Sequence, residues 1–208
     1  MPPRTIADIA HTTFDVAIIG GGINGASLYH ALTRQGYRVL LAERGDFASG
    51  TSQASTMMIW GGLLYMKDWE LKTVCSLSAS RDHLIHTEPL QIRPRLMRYV
   101  PEPGGRSRRL VQAALQAYWL LGLGRRRRPT YSTDFEERVL LKDGRTAGAL
   151  TYEEGALESS DARFVLSWIL QGGNNGSAAV NYCSVDSVAL ERSGRLWRLE
   201  VSDTLGGQ

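Results

Sequence analysis

Residues 14–44 contain a glycine-rich turn that constrains the fold of this chain more than any other feature. An apolar strand leads into the turn, a helix with an apolar stripe follows, and a second apolar strand ends at Glu43. Gly20, Gly22 and Gly25 have the G-x-G-x-x-G spacing of dinucleotide-binding units. The first glycine permits a sharp turn, the second lets a pyrophosphate approach, and the third lets the helix pack closely on the strand. The sequence therefore predicts an α/β unit that binds a dinucleotide.

The start of the predicted helix is the expected phosphate site. Its free N–H groups and the positive end of the helix dipole favour a bound phosphate. Glu43 lies eighteen residues after Gly25 and can accept hydrogen bonds from both hydroxyls of a ribose, which disfavours a 2′-phosphate. The candidate cofactor-binding residues of this unit are Gly20, Gly22, Ile23, Asn24, Gly25, Glu43 and Arg44.

Hydrophobic periodicity and turn residues predict the remaining elements. Ser193–Gly194 is the expected turn of a hairpin near the end of the chain. The predicted strands are 14–19, 37–43, 96–100, 178–183, 185–191 and 195–201, and the predicted helices are 23–35, 52–59, 68–86, 110–123 and one that begins after Ser160 or Asp161 as N-cap.

Composition excludes several classes of protein. The hydrophobic fraction of 43% and charged fraction of 22% are those of a globular protein. No apolar run is long enough to cross a bilayer, and the first residues contain no apolar signal segment. Cys75 and Cys183 form no disulfide framework, so we expect a reducing, cytoplasmic compartment. His83 and His86 have no third ligand at a suitable spacing, so we expect no metal site.

Positive charge is concentrated in residues 93–128, which contain ten arginines and one acid, Glu102. The recognition signatures of nucleic-acid-binding modules are missing, so we expect no nucleic-acid partner. The apolar segment 110–123 has arginines on both sides, and residues 106–128 could contact the inner face of a membrane. The simpler interpretation is a packing helix with solvated arginines around it.

Residues 51–65, TSQASTMMIWGGLLY, add a second pattern. It resembles the pattern of the flavin-dependent glycerol-3-phosphate dehydrogenases, which belong to the glutathione-reductase-type FAD oxidoreductases. In that family the corresponding sequence is roughly T-S-S-x-S-(S/T)-K-L-I-H-G-G-L-R-Y-L. The resemblance covers nearly the whole chain but only the N-terminal part of the family's length. The positions that keep the pattern are Thr51, Ser52, Ala54, Ser55, Thr56, Ile59, Gly61, Gly62, Leu63 and Tyr65.

The resemblance implies FAD as the cofactor. Small hydroxyl residues at a strand-to-helix turn can donate to a pyrophosphate and a ribityl chain. By resemblance, the hydroxyl residues line the cofactor, the two glycines let the backbone pass beside the isoalloxazine, and a later strand places main chain beside the adenine. The additional candidate cofactor-binding residues are Thr51, Ser52, Ser55, Gly61, Gly62, Leu63 and Val185. For the hydroxyl residues, turn and capping roles are the alternative.

The resemblance also implies the fold class, which is α/β with an incomplete Rossmann-like FAD-binding domain of the glutathione-reductase type and part of an α+β substrate region. We expect three regions. Residues 1–66 hold the FAD-binding unit and the flavin-contact segment, and 67–150 form a helical and irregular substrate-side insertion. Residues 151–208 return to the FAD-binding domain, and the chain stops before the family's later strands.

Three positions depart from the family pattern. Met57, Trp60 and Leu64 stand where the family has Lys, His and Arg near the substrate. A phosphate dianion needs charge-assisted donors, which these side chains lack. The departures favour an uncharged hydroxy or amino substrate over glycerol 3-phosphate. Because Trp60 occupies the family's histidine position, no catalytic base is assigned.

The function expected from this resemblance is that of an FAD-dependent oxidoreductase, or its N-terminal portion. Hydride would pass from a hydroxy or amino substrate carbon to flavin N5. By resemblance, a quinone is a candidate electron acceptor. Two alternatives stay open, an amine oxidase similar to D-amino-acid oxidase and a non-catalytic fragment that binds the adenylate half of a dinucleotide weakly or not at all.

Overall fold

The chain forms two compact units in the computed structural model. The first unit combines Met1–Thr56 with Ser159–Gln208, and the second is Met57–Glu158. The structure describes residues 5–102, 104–141, 148–172, 175–192 and 194–206.

Five α-helices and nine strands are present in the described residues, together with short 3₁₀ turns at Thr51–Gln53, Leu63–Asp68 and Glu136–Leu140. The helices are α1 (Ile6–Ile9), α2 (Ile23–Arg34), α3 (Leu71–Thr87), α4 (Arg108–Leu121) and α5 (Asp161–Gln171). The strands are β1 (Val16–Ile19), β2 (Val39–Ala42), β3 (Met58–Ile59), β4 (Ile92–Tyr99), β5 (Thr130–Ser132), β6 (Ala149–Leu157), β7 (Ala178–Val180), β8 (Cys183–Leu190) and β9 (Trp197–Asp203).

A parallel sheet lies at the centre of the first unit. β2 pairs in parallel with β1 on one side and with β7 on the other. Helix α2 connects β1 to β2, which confirms the strand–helix–strand unit predicted from the glycine pattern. A parallel sheet with a crossover helix of this kind confirms the predicted α/β, Rossmann-like fold class.

Side chains of β2 point alternately to two apolar layers. Val39 and Leu41 pack with Tyr29 of α2 and Val165 of α5. Leu40 and Ala42 pack on the other face, in a cluster that includes Cys183. Because a strand buried on both faces has no polar side, its sequence is continuously apolar. This explains why VLLA was recognisable as a strand.

The hairpin of β8 and β9 completes the described part of the first unit. It is antiparallel and has an irregular register between Val185 and Ser187. Ser193, the first residue of the predicted turn at Ser193–Gly194, lies outside the described residues. Gly194, the second residue of the predicted turn, donates its amide to the Glu191 carbonyl at 2.8 Å.

The second unit contains an antiparallel sheet in which β6 is the central strand. β4 pairs along one edge of β6, and the shorter strands β3 and β5 pair along its opposite edge. Pro94 is tolerated in β4, because β4 is an edge strand in the described part of this sheet and prolines in sheets are confined to such positions. Helices α3 and α4 belong to the same unit.

The predicted helix at 52–59 is wrong. The structure has the short 3₁₀ turn Thr51–Gln53 there, followed by strand β3. Met57, between the two, has a φ of +55°, which no helix accommodates. The Met57 carbonyl also accepts a hydrogen bond from the Leu157 amide at 2.8 Å, so β6 draws this segment into the sheet.

The predicted helix at 68–86 starts later than expected. Asp68 ends a 3₁₀ turn instead of opening the helix, and α3 begins at Leu71 after Glu70. Trp69 between them has a left-handed φ of +59°, so the two helical segments cannot be continuous. The predicted strand at 96–100 belongs to the longer β4, and α4 begins after Ser107, whose hydroxyl accepts from the Leu110 amide.

The boundaries of the second unit follow from strand pairing. Met58 and Ile59 pair with Ala156 and Gly155 of β6, so the unit extends from Met57 to Glu158. The sequence predicts the insertion at 67–150, which lies inside these limits. The difference arises because β3 and β6 carry no clear strand pattern of their own.

Candidate functional site

The glycine turn between β1 and α2 has the tight geometry that its sequence predicts. Gly20 has a φ of +108°, a conformation that side chains strongly disfavour. A Cβ atom on Gly25 would collide with the Gly20 carbonyl oxygen and lie 3.4 Å from Leu41. Glycine at 25 therefore lets the first turn of α2 lie directly against the end of β1.

The first turn of α2 is bound by a side chain from a neighbouring segment. The Ile23 amide donates to Ser52 Oγ at 2.9 Å. Ser52 belongs to the 3₁₀ turn Thr51–Gln53, whose first residue is the exposed Thr51. The remaining first-turn amides, including that of Asn24, have no acceptor within an α-helix by its geometry. A hydroxyl and several N–H groups are thus gathered at one helix terminus.

Glu43 is the acid at the end of β2, and its carboxylate contacts the glycine turn. Its Oε2 accepts from the Gly21 amide at 2.6 Å, and its Oε1 accepts from the Gly45 amide at 2.8 Å. The side chain therefore orders the backbone on both sides of the site. Arg44, the next residue, is exposed, and its carbonyl accepts from the Thr204 hydroxyl at 2.7 Å.

Gly21 belongs to the candidate site by its geometry but is not among the residues predicted from the sequence. A Cβ there would lie 2.6 Å from Phe47 and 2.9 Å from Glu43 Cβ. The G-x-G-x-x-G pattern leaves this position open, so the only available signal was the run of three consecutive glycines.

Ser55 and Val185 lie in the first unit but have different surroundings. The Ser55 amide donates to Asp161 Oδ2 at 2.9 Å. Hydrogen bonding to Ser55 lowers the pKa of Asp161 below its usual range. Val185 is half-buried on β8 and packs against the apolar cluster of Leu40 and Ala42.

Gly61, Gly62 and Leu63 belong to the second unit. Gly62 has a φ of +85° and precedes the 3₁₀ turn Leu63–Asp68. The Gly61 amide donates to Glu154 Oε2 at 3.2 Å, and the Gly61 carbonyl accepts from the Ser78 hydroxyl at 3.2 Å. The Gly-Gly turn is therefore fixed by side chains of β6 and α3.

A buried polar cluster, defined as Ser78, Arg81, Tyr118 and Glu154, surrounds this turn. Arg81 Nη1 donates to the Tyr118 hydroxyl and to Glu154 Oε2, both at 2.8 Å. The Tyr118 hydroxyl donates to Glu154 Oε1 at 2.6 Å. Glu154 is fully buried, and Arg81 is 3% exposed. No local sequence pattern predicts this cluster, because its members are distant along the chain.

Further charges flank the buried polar cluster. Arg81 Nε donates to Asp82 Oδ1 at 3.0 Å, and Arg126 makes ion pairs with Asp82 and Glu153. Burial raises the pKa of Tyr118, and the adjacent Glu154 carboxylate raises it further. Tyr118 therefore keeps its proton, which is consistent with its role as a donor to Glu154.

The three departures from the family pattern lie around the Gly-Gly turn. Met57 is 44% exposed and Leu64 is 61% exposed. Trp60 is half-buried, with its ring centroid 6.1 Å from that of Tyr65. This surface of the second unit is apolar and aromatic, so it offers no cation from these positions to a phosphate.

The described residues contain no group of three His, Cys, Asp or Glu side chains that could hold a metal ion. Within the same described ranges, no helix combines the length and apolar character needed to cross a membrane. Cys183 is buried, and burial raises the pKa of its thiol, whereas Cys75 is exposed.

The geometry of the first unit fits a dinucleotide. The turn at Gly20 and the close packing at Gly25 expose the start of α2, where backbone N–H groups and the helix dipole favour a pyrophosphate. Glu43 lies at the end of the adjacent strand, where such folds place the acid that binds a ribose.

Comparison with known protein families also indicates a protein that binds a dinucleotide, namely FAD. A sequence profile described as FAD dependent oxidoreductase matches residues 15–208. The chain is 31% identical over 212 residues to a glycerol-3-phosphate dehydrogenase of Synechocystis sp., covering 99% of this chain and 38% of that protein. It is 33% identical over 198 residues to a D-erythritol 1-phosphate dehydrogenase of Brucella abortus, covering 92% of this chain and 38% of that protein.

Solved structures show the same fold. A glycerol-3-phosphate dehydrogenase from Bacillus halodurans complexed with FAD superposes with a TM-score of 0.63 at 22% identity, covering 96% of this chain and 32% of that chain. An L-alpha-glycerophosphate oxidase from Mycoplasma pneumoniae with FAD bound gives a TM-score of 0.64 at 16% identity, covering 91% of this chain and 50% of that chain. The chain spans 38% of the length of each of the two sequence relatives, the Synechocystis and the Brucella dehydrogenase.

Proposed function

Since this chain belongs to the FAD-dependent oxidoreductase family, we propose that it binds FAD through the glycine turn and the start of α2 and supports oxidation of a small hydroxy or amino substrate. The observation that carries the proposal is the joint arrangement of this turn, Ser52 and Glu43 in the first unit. When bound, the flavin supplies the hydride-accepting chemistry at N5. The protein's residues supply binding, orientation and electrostatics.

The residues of the first unit would hold the adenylate and pyrophosphate part. The N–H groups of Asn24 and Gly25 would face the phosphates, and the Ile23 amide would exchange its Ser52 acceptor for them, with Gly20 and Gly22 shaping the turn. Glu43 would exchange its backbone partners for ribose hydroxyls, and Arg44 would flank them. Thr51, Ser52 and Ser55 would donate along the pyrophosphate and ribityl chain, and main chain at Val185 would lie beside the adenine.

Residues of the second unit would contact the isoalloxazine. Gly61, Gly62 and Leu63 match the family positions beside the ring, and the fixed backbone of Gly61 supports this assignment. These roles follow from the resemblance and from the local geometry of the turn.

The surface beside the Gly-Gly turn favours a substrate without a phosphate. Met57, Trp60 and Leu64 replace the polar residues of the family pattern, and their exposed apolar atoms cannot pair with a dianion. We therefore propose an uncharged alcohol or an amine, although the relatives described above are named for phosphorylated polyols. Peroxide release during amine oxidation would identify an amine oxidase, and electron transfer to a quinone would identify a dehydrogenase.

A peripheral contact with an anionic membrane is proposed for α4 and its flanks. The exposed side of this region carries Leu110 at 60% exposure, Leu120 at 64% and Leu123 at 73%, with exposed Arg109 and Arg127 nearby. Apolar side chains can enter the interface while arginines meet anionic headgroups. Co-sedimentation with anionic vesicles tests this contact. Leu120→Ser should weaken it, and Leu90→Ser, at an 86% exposed position elsewhere in the unit, should not.

The FAD proposal is tested on the purified chain. After incubation with FAD and removal of free ligand, the protein should retain the absorption bands of a bound flavin. A chain that retains no flavin would support the alternative of a non-catalytic fragment and overturn the proposal.

A further inference from the structure

The buried polar cluster of the second unit is built around a single backbone position. The Gly61 amide donates to Glu154 of β6, and the Gly61 carbonyl accepts from the Ser78 hydroxyl of α3. A Cβ atom at this position would collide with the Tyr118 hydroxyl and lie 2.6 Å from Arg81 Nη1. Three separate elements therefore supply polar atoms that close around one glycine.

The charges of the cluster are matched within it. Glu154 accepts from Arg81, Tyr118 and Gly61, so its two carboxylate oxygens are engaged by three donors. Hydrogen bonds to an ionised group are roughly twice as strong as neutral ones. A backbone amide bound to a buried carboxylate is thus held more firmly than one in an ordinary turn.

Fold stability alone is a weak reason for such an arrangement. A buried ion pair often contributes no more stability than well-packed apolar side chains of similar volume, because both charges lose their hydration. What a satisfied polar network can provide is a defined geometry, since each donor and acceptor has a fixed direction. Here the group with the defined geometry is the Gly61 backbone, directly before the left-handed Gly62.

We infer that Arg81, Tyr118 and Glu154 are positioning residues that fix the Gly61–Gly62 backbone for contact with the isoalloxazine of FAD. This inference rests on the proposed function. The three side chains act through Gly61, and they need not touch the cofactor themselves. Substitutions that loosen the cluster should therefore weaken binding of the flavin ring. Binding of the adenylate half should not change, because residues of the first unit provide it.

The test compares Glu154→Gln and Tyr118→Phe with the control Glu158→Gln. Glu158 follows β6 and makes surface ion pairs with Arg93 and Arg95, so its substitution also removes one carboxylate. Thermal unfolding first establishes that each variant is folded. Dissociation constants are then measured for FAD and for ADP, which lacks the flavin, and the absorption spectrum of the bound flavin is recorded.

The inference predicts that Glu154→Gln raises the Kd for FAD about tenfold, the effect expected from losing one charge-assisted hydrogen bond. The Kd for ADP should stay within about twofold. Tyr118→Phe, which keeps the ring and the Gly61–Glu154 bond, should show a smaller change in the same direction and a shifted flavin spectrum. Glu158→Gln should match the wild-type protein in both constants.

Two results would overturn the inference. One is an unchanged FAD constant and spectrum in both cluster variants. The other is an equal weakening of FAD and ADP, which indicates general loosening of the protein. Failure of the proposed function is distinguishable, because in that case the wild-type chain itself would not bind FAD. Hydrogen exchange of the backbone amides of residues 58–65 reports separately on Gly61. Glu154→Gln should accelerate this exchange strongly and Tyr118→Phe less, whereas Glu158→Gln should leave it unchanged.

Discussion

Gly25 shows how one residue can set the spacing between a strand and a helix. Its α-carbon faces the Gly20 carbonyl so closely that no side chain can be placed between them. The helix start can then present its N–H groups at the end of the strand. The same logic applies at Gly61, where polar atoms instead of backbone occupy the space.

Substitution of Gly25 by alanine should therefore destabilise the chain. The added methyl group collides with a backbone oxygen that cannot rotate away, and overpacking of this kind costs about 1–3 kcal/mol. Urea denaturation measures the free energy of unfolding. Gly50→Ala is the matched control, because its φ is −87° and a Cβ there meets no atom within 4 Å. Equal stability of the two variants would contradict the packing argument.

At the scale of elements, the start of α5 joins two segments of the first unit that are distant in sequence. Ser160 is the N-cap, and its hydroxyl accepts from the Arg163 amide. Asp161 accepts from the Ser55 amide, and a carboxylate in the first turn also interacts favourably with the helix dipole. The 3₁₀ turn that carries Ser52 is thereby connected to α5 by a polar contact.

This contact predicts a dependence of stability on pH. Hydrogen bonding to Ser55 lowers the pKa of Asp161 in the folded chain, so its contribution is present above the ordinary value of 3.8 and is lost as the pH falls through the folded value. The difference in unfolding free energy between wild type and Asp161→Asn should shrink below about pH 4. Urea titrations at several pH values measure it, with the exposed Asp134→Asn as control. A difference that grows on acidification would contradict this assignment.

Elements differ in how much their sequence reveals. β1, α2 and β2 were predictable, because a buried parallel strand is continuously apolar and the glycine turn has a fixed spacing. β6 was missed, because Glu153 and Glu154 interrupt its apolar pattern. Glu154 is nevertheless buried, since Arg81 and Tyr118 satisfy its charge. Such pairing depends on residues far away in the chain, which a local pattern cannot show.

At the scale of the whole molecule, the first unit combines the two ends of the chain, and the second unit lies between them in sequence. The site residues divide in the same way, with the glycine turn in one unit and the Gly-Gly turn in the other. The glycine turn could be predicted from its G-x-G-x-x-G motif. The Gly-Gly turn was recognised only by its resemblance to the family pattern, and the buried polar cluster that hydrogen-bonds to it is visible only in the structure.

The central claim is that the glycine turn binds the pyrophosphate of FAD, and Gly22→Asp tests it most directly. Gly22 is the N-cap of α2 with φ −78° and ψ −172°, an extended conformation that aspartate adopts readily. Aspartate is a favoured N-cap, so the helix should remain intact even though the Ser52 hydroxyl, 3.0 Å from the new Cβ, must shift. Its negative charge would lie where the phosphates are proposed to bind.

Calorimetric titration with FAD, together with thermal unfolding, gives the decisive comparison. The account predicts that the wild-type chain binds one FAD, and that Gly22→Asp unfolds at a similar or higher temperature but binds FAD at least tenfold more weakly, on the order of the effect of one unfavourable charge contact. Equal affinity of a folded Gly22→Asp variant for FAD would contradict the claim.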